Sequence, residues 1–171
     1  FVGTIGDMGC FSFYPTKILG TYGDGGFILT NQSKLHKKIR RLRFYGIETI
    51  DKNNKFYEKY YSNENGLNSR VDEIQCSILN IKLNYVNKFI NKRIILAKEY
   101  FKNLKDTDLI LPYKHSYNKH VYHLFTVYHP QGLYIKKRLL KAKVQTRSIY
   151  PYPIHQMKAY ANLIKKIGIR G

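Results

Sequence analysis

After Ser69, apolar residues recur at steps mostly of three or four: Ile74, Ile78, Ile81, Tyr85, Phe89, Ala97, Phe101 and Leu104. That period predicts one long helix from about 71 to 104. Ser69-Arg-Val-Asp72 matches a capping box, a hydroxyl followed three residues later by an acid, and marks the helix start. Upstream, Leu35, Ile39 and Leu42 sit at i, i+4 and i+7 within the basic run Lys34 to Arg43. They predict an amphipathic helix with a basic outer face, with Asn31 or Ser33 available as its cap. Residues 9–14 are short and aromatic and read as a strand, which Pro15 ends because it cannot donate to a sheet ladder. The glycine-rich stretch 15–26 then reads as a loop and Phe27 to Thr30 as a second strand.

Residues 46–66 are polar, rich in Asn, Lys and Tyr, and without a clean period. They predict a long loop with room for a short strand. Pro112 and the polar stretch to Lys119 break the helical pattern and put a domain boundary near 105–118. Val121 to Tyr128 alternates as a strand does, and Tyr134 to Ala142 reads as a helix anchored by Leu133, Leu139 and Leu140. Pro151 and Pro153 mark an extended loop, and Met157 to Lys166 a short helix. The order of elements implies an α/β class, with 1–104 and 105–171 as its two parts.

Composition narrows the reading. The chain has 171 residues, 43% of them hydrophobic, enough for a core and too many for disorder. Lys plus Arg number 30 against 11 Asp plus Glu, a net charge of +19, so a nucleic-acid partner is the first class to test. The basic residues are spread from 34 to 166, and no zinc-finger spacing, RNP-type motif or helix-turn-helix accompanies them. A positive field equally attracts a phosphorylated small ligand. Cys10 and Cys76 are too few for a disulfide framework or a cysteine metal site. No stretch reaches the roughly 18 apolar residues of a membrane span, and no signal peptide is visible. The expectation is a cytoplasmic protein without a membrane partner. The chain starts at Phe1 directly in strand-and-turn sequence and stops at Gly171 just after Leu163 to Arg170. Both ends read as those of a piece cut from a longer protein.

The chemistry concentrates in Gly9-Cys-Phe-Ser-Phe-Tyr-Pro-Thr-Lys17 and the following Gly20-Thr-Tyr-Gly-Asp-Gly-Gly26. Lys17 lies just past a strand, on a loop restrained by Pro15 and glycines. A lysine held near a buried sheet edge loses ammonium solvation, which favours a nucleophilic amine. Ser12 offers a hydroxyl to a phosphate oxygen. An amine near a phosphate donor suits a Schiff-base cofactor such as pyridoxal phosphate. The same residues also fit a solvated surface lysine and a simple hairpin turn. Neither a P-loop nor a Rossmann fingerprint is present.

Read together, these residues strongly resemble the active-site segment of the DegT/DnrJ/EryC1/StrS family of sugar aminotransferases. Further strings are similar to that family in the same order: Ile39-Arg-Arg-Leu-Arg43, Gly66-Leu-Asn-Ser-Arg-Val-Asp-Glu-Ile-Gln75, Val121-Tyr-His-Leu-Phe125 and Tyr150-Pro-Tyr-Pro-Ile-His155. The resemblance covers nearly the whole chain. It implies an aspartate-aminotransferase-like fold (fold type I). Residues 1–104 would be the end of the large cofactor domain, and 105–171 part of the small C-terminal domain. It implies pyridoxal 5'-phosphate as cofactor, with Lys17 as the Schiff-base lysine and Ser12 bonding the phosphate. Asn68 would reach the phosphate of a partner subunit's cofactor, in a homodimer with shared active sites. His123, Tyr150 and His155 would lie near the sugar nucleotide, and no metal is implied. For Asn68 a helix-capping role, and for His123 a core histidine, are the competing readings.

The implied activity is transamination of a nucleotide-linked keto sugar to an amino sugar, with L-glutamate as donor. The Gly-Asp-Gly-Gly run resembles members that aminate C-3, which brings a dTDP-linked 3-keto-6-deoxyhexose among the substrates. Relatives often carry Asn where this chain has Ile18, and His where it has Ile149, so substrate detail stays open. In the family, the carboxylate that pairs with the ring nitrogen and the stacking aromatic lie upstream of these motifs. The 171-residue chain is therefore expected to be incomplete as an enzyme. A basic nucleic-acid-binding module and a non-catalytic truncated remnant are the alternatives.

Overall fold

The structure, a computed structural model, describes residues 1–47, 61, 62 and 64–160. Two short strands open the chain, β1 (Gly9–Ser12) and β2 (Gly26–Leu29), followed by α1 (Ser33–Leu42), α2 (Glu73–Leu83), α3 (Val86–Leu104) and α4 (Gly132–Lys141). Two single 3₁₀ turns, Ile154–Gln156 and Lys158–Tyr160, follow α4. The chain divides into two compact units: Phe1–Asp106 with Pro112–Thr126, and Thr107–Leu111 with Val127–Gly171.

In the first unit β1 and β2 pair antiparallel, Phe11 opposite Phe27 and Ser12 opposite Gly26. The Phe27 ring stacks between Phe11, at 4.6 Å, and Phe13, at 5.2 Å, two residues apart and so on one face. The ladder runs one bond past the strand, from Phe13 N–H to the Gly25 carbonyl at 2.7 Å. Pro15 then opens a turn rather than merely ending the strand. Lys17 N–H closes on the Tyr14 carbonyl at 2.8 Å, with Pro15 at the second position, where its fixed φ suits the bend. The loop returns through Thr21, which is fully buried. Its N–H and its hydroxyl both reach the Phe13 carbonyl, at 2.8 and 2.7 Å, and the hydroxyl also lies against the Gly23 carbonyl.

α1 forms over the basic run as its period predicts, with Leu35, Ile39 and Leu42 half-buried. Its cap is neither Asn31 nor Ser33: Gln32 holds the position without a side-chain cap bond. The Gln32 amide instead donates to Asp7 at 2.6 Å, and its N–H donates to the Thr30 hydroxyl at 3.1 Å. Beyond α1 the chain doubles back, pairing Phe44 with Asn68 and Ile47 with Ser62. Gly46, at φ +74, lies so close to the Glu64 carbonyl that no side chain fits there. Arg41 bonds Glu64 at 2.8 Å across the same fold-back. Most of the long segment expected between 46 and 66 lies outside the described residues.

The helix expected over 71–104 is two. Ser69 does not cap it; its N–H is bound to the Arg43 carbonyl at 2.9 Å, and Asp72 precedes α2 without a side-chain bond. The break falls at Asn84 and Tyr85, whose N–H groups close short i→i+3 bonds to Ile81 and Lys82. The Asn84 amide donates to the Asn80 carbonyl at 3.4 Å, the acceptor that a continuing helix would give to the Asn84 N–H. The apolar period passes through this break unchanged, so periodicity could not reveal it. On α3, Ala97 is 2% exposed and Phe101 is half-buried. Tyr100 and Phe101 hold Phe125 at 5.0 and 5.1 Å.

The strand expected over Val121 to Tyr128 is absent. Tyr122 takes φ +46, which no strand tolerates, and only Tyr128 pairs, with Ile110. That pair lies in the second unit, where His129 also meets Asp108 at 2.9 Å. α4 ends in a Schellman closure: Val144 N–H bonds the Leu139 carbonyl and Lys143 N–H the Leu140 carbonyl, at 2.8 and 2.9 Å. The residue in the left-handed position is Lys143, φ +61, where glycine is usual. Of the helix expected over 157–166, residues 158–160 form a 3₁₀ turn and 161–166 lie outside the described residues.

Lys143→Gly is expected to stabilise the protein by about 1 kcal/mol, because the left-handed conformation costs a side-chain-bearing residue roughly that much. A denaturant midpoint that does not rise would contradict this account of the α4 terminus. Thr21→Val keeps the shape and removes the hydroxyl. The hydroxyl's one hydrogen is lost to the Phe13 and Gly23 carbonyls it lies against, while the backbone N–H to Phe13 remains, so a loss of about 1–3 kcal/mol is expected in the same measurement.

Candidate active site

β1 and the turn after it carry the first two candidate groups. Ser12 ends β1, exposed, and its Oγ accepts the Tyr14 N–H at 3.2 Å. That contact uses a lone pair and leaves the hydroxyl hydrogen for an outside acceptor. Lys17 closes the Pro15 turn and is half-buried. The turn cannot widen freely. A side chain on Gly20 would meet the Tyr14 carbonyl at 2.6 Å and the Pro15 carbonyl at 2.9 Å, so the returning backbone lies directly on it.

α2 pins the far side of this loop. Gln75 Oε1 accepts the Tyr22 N–H at 2.8 Å, and Lys82 Nζ donates to the Gly20 carbonyl while standing 5.1 Å over the Tyr22 ring. Gln75 and Lys82 are seven residues apart, two turns on one helix face. The loop bearing Lys17 is thus tied inward at Thr21 and outward to α2. Neither Thr21, Gln75 nor Lys82 stands among the residues to which the sequence assigns chemistry. The available signal was a single Thr among glycines, and a polar residue repeated at seven in a helix.

A third candidate lies within the electrostatic influence of Lys17. His123 is half-buried, and its Nδ1 is buried with no hydrogen-bond partner. Its pKa lies below the ordinary 6.5, first because burial penalises the imidazolium and then because the Lys17 and Arg93 charges oppose it. His123 is therefore a neutral ring within electrostatic reach of the Lys17 amine at pH 7. Arg93 was not foreseen; it donates to the Tyr122 and His123 carbonyls at 3.2 and 3.0 Å.

Asn68 stands elsewhere on the first unit. It is exposed, pairs with Phe44 through the backbone, and accepts from Arg70 Nε at 3.3 Å. No hydrogen bond joins it to Ser12 or Lys17 among the described residues. It does not cap α2 either, since Asp72 holds that position. Beside it a cleft of about 150 Å³ is lined by Arg40, Arg43, Phe44 and Arg70, with the Arg70 guanidinium 4.9 Å over the Phe44 ring. Tyr150 and His155 belong to the second unit and are exposed. Among the described residues no helix is long and apolar enough to cross a membrane.

The arrangement is an amine on a braced turn, a neutral imidazole near it and a hydroxyl donor on the adjoining strand. Proteins of known function and structure share its frame. The chain is 38% identical over 166 residues to a dTDP-3-amino-3,4,6-trideoxy-alpha-D-glucose transaminase of Micromonospora megalomicea subsp. nigra, covering 94% of this chain and 42% of that protein. The crystal structure of S. venezuelae DesV in complex with a ketimine intermediate superposes with a TM-score of 0.79 at 34% identity, over 92% of this chain and 40% of that one. The NtdA structure of Bacillus subtilis with bound cofactor PMP superposes at 0.73 with 27% identity, over 96% and 38%. The chain thus spans well under half the length of these proteins, and what it holds is a partial α/β fold of the sugar-aminotransferase kind. With the family's sequence pattern matched over residues 1–169, this chain belongs to the pyridoxal-phosphate-dependent DegT/DnrJ/EryC1/StrS aminotransferase family.

Proposed function

We propose that this chain supplies the lysine-bearing part of a sugar aminotransferase. That enzyme would pass an amino group from L-glutamate to the keto carbon of a nucleotide-linked sugar, a dTDP-linked 3-keto-6-deoxyhexose among its substrates. In this reading residues 1–104 close the large cofactor domain and 105–171 belong to the small one, in a cytoplasmic homodimer with shared active sites. The observation that carries it is Lys17: an amine on a turn braced by Thr21 and Gly20, whose charge acts on the neutral ring of His123. The transaminase that is 38% identical acts on a dTDP-linked 3-amino sugar, as its name states.

The residues present fit pyridoxal phosphate. Lys17 offers a primary amine for its aldehyde, and Ser12 has a hydroxyl hydrogen left over for its phosphate. When bound, the cofactor supplies an electron sink for the bonds that break at the amine-bearing carbon. Lys17 Nζ anchors it and serves as the base that carries a proton to and from that carbon. His123, neutral, adds no competing cation beside the amine. Asn68 turns its amide to the phosphate in the partner subunit's site. Tyr150 and His155 hold the nucleotide-linked sugar. The +19 charge draws a phosphate-bearing substrate toward the surface.

Lys17→Ala in the full-length enzyme is expected to cut transamination at least about a thousandfold, the upper range of a general acid–base loss, with the fold intact. Turnover within tenfold of wild type, with unchanged circular dichroism, would overturn the assignment. Shared sites give a second expectation. Lys17→Ala subunits mixed with Asn68→Ala subunits form heterodimers in which one site keeps both residues, so activity returns on mixing. Verified heterodimers as inactive as either parent would assign Asn68 a purely structural role.

A further inference from the structure

α3 carries Arg93, Ala97 and Phe101 on one face, spaced by four. The segment beneath them is bent. Arg93 Nη1 donates to two consecutive carbonyls, Tyr122 at 3.2 Å and His123 at 3.0 Å. In an extended chain successive carbonyls point to opposite sides, so one donor reaches both only where the backbone turns sharply. Tyr122 makes that turn at φ +46, a left-handed conformation unfavourable for a bulky residue. Two further contacts hold it. His120 Nδ1 accepts the Tyr122 N–H at 3.0 Å, and the Phe101 ring meets the Tyr122 ring edge-on at 6.1 Å. Ala97, one turn from Arg93 on the same face, is small and buried.

We propose that Arg93 is a positioning residue: by gripping the Tyr122 and His123 carbonyls it fixes the bend that sets where the His123 ring stands in the candidate site. This rests on the reading of the site made above and adds to it the group that sets one of its members. Arginine suits the task because its guanidinium keeps its charge at every physiological pH and its planar donors serve two acceptors at once. The charge has a second effect. Lys17, from the loop after β1, and Arg93, from α3, are the cations that act on His123, and both hold its ring neutral beyond what burial does. A positioned imidazole that stays neutral can bond a substrate group without competing for protons with the Lys17 amine.

The test uses the full-length enzyme with Arg93→Met, Arg93→Lys, His123→Gln and the double variant Arg93→Met/His123→Gln. Arg93→Met is expected to lower kcat roughly tenfold to a hundredfold, the cost of a misplaced group, with KM for the amino donor within threefold. Arg93→Lys, which keeps the charge and a donor, should recover part of that loss. If Arg93 acts through His123, the double variant is no slower than His123→Gln alone. A measurement on the cofactor-free protein stands apart from turnover. In histidine-labelled NMR titrations, the His123 midpoint should lie below 6.5 in wild type and rise toward it in Arg93→Met. An unchanged His123 midpoint, or losses that simply add in the double variant, would overturn the proposal while leaving the Lys17 assignment standing. That assignment fails separately, if Lys17→Ala still turns over. Should Arg93→Met not fold, the decision passes to Arg93→Lys: an NMR midpoint and kcat identical to wild type despite the lost two-carbonyl grip would likewise overturn it.

Discussion

The Phe13 carbonyl is the point on which the candidate site turns. It accepts the Thr21 N–H and the Thr21 hydroxyl together, and so draws the end of the glycine-rich loop back onto the strand it left. Thr21 is fully buried, so the donors it supplies cannot be replaced by water. Because this contact fixes both ends of the Tyr14 to Thr21 excursion, Lys17 has little freedom to leave the turn. Gly20 completes the constraint by lying where any side chain would strike the Tyr14 and Pro15 carbonyls.

A second theme is the use made of excess positive charge. With 30 basic and 11 acidic residues, most cations cannot meet a carboxylate. Two that matter for the site end on backbone carbonyls instead. Lys82 reaches the Gly20 carbonyl, and Arg93 reaches those of Tyr122 and His123. Each bond ties a helix to an irregular segment bearing a candidate site group, the Lys17 loop in one case and His123 in the other. A charged donor strengthens such a bond relative to a neutral one. Part of the charge that first suggested nucleic acid is thus spent on internal architecture.

The sequence made some elements legible and hid others for identifiable reasons. The α1 period and the paired aromatic strands were plain, because Leu35, Ile39 and Leu42 and the Phe11–Phe27 pair express their faces locally. The break between α2 and α3 was hidden, because the apolar spacing continues through Asn84 and only that side chain's bond to Asn80 marks the interruption. The segment after Val121 alternates as a strand does, yet Arg93 and the left-handed Tyr122 override the pattern. The caps read from the sequence did not form: Gln32 holds the position expected of Asn31 or Ser33, and Asp72 the one expected of Ser69, whose N–H is taken by the distant Arg43 carbonyl.

By itself the sequence determined the family and the chemical candidates, since motif order and residue type are local properties: an amine after a strand, a hydroxyl five residues before it, and a Gly-rich return. Only the tertiary structure decided which of them meet. Lys17 and His123 are more than a hundred residues apart in the chain, yet the Lys17 charge acts on the His123 ring, and the His123 backbone is held by an arginine on α3 that no motif marks, at a bend that no period encodes. Local patterning specifies what a segment can become. The hydrogen bonds that select one outcome come from donors and acceptors whose proximity exists only after the chain has folded.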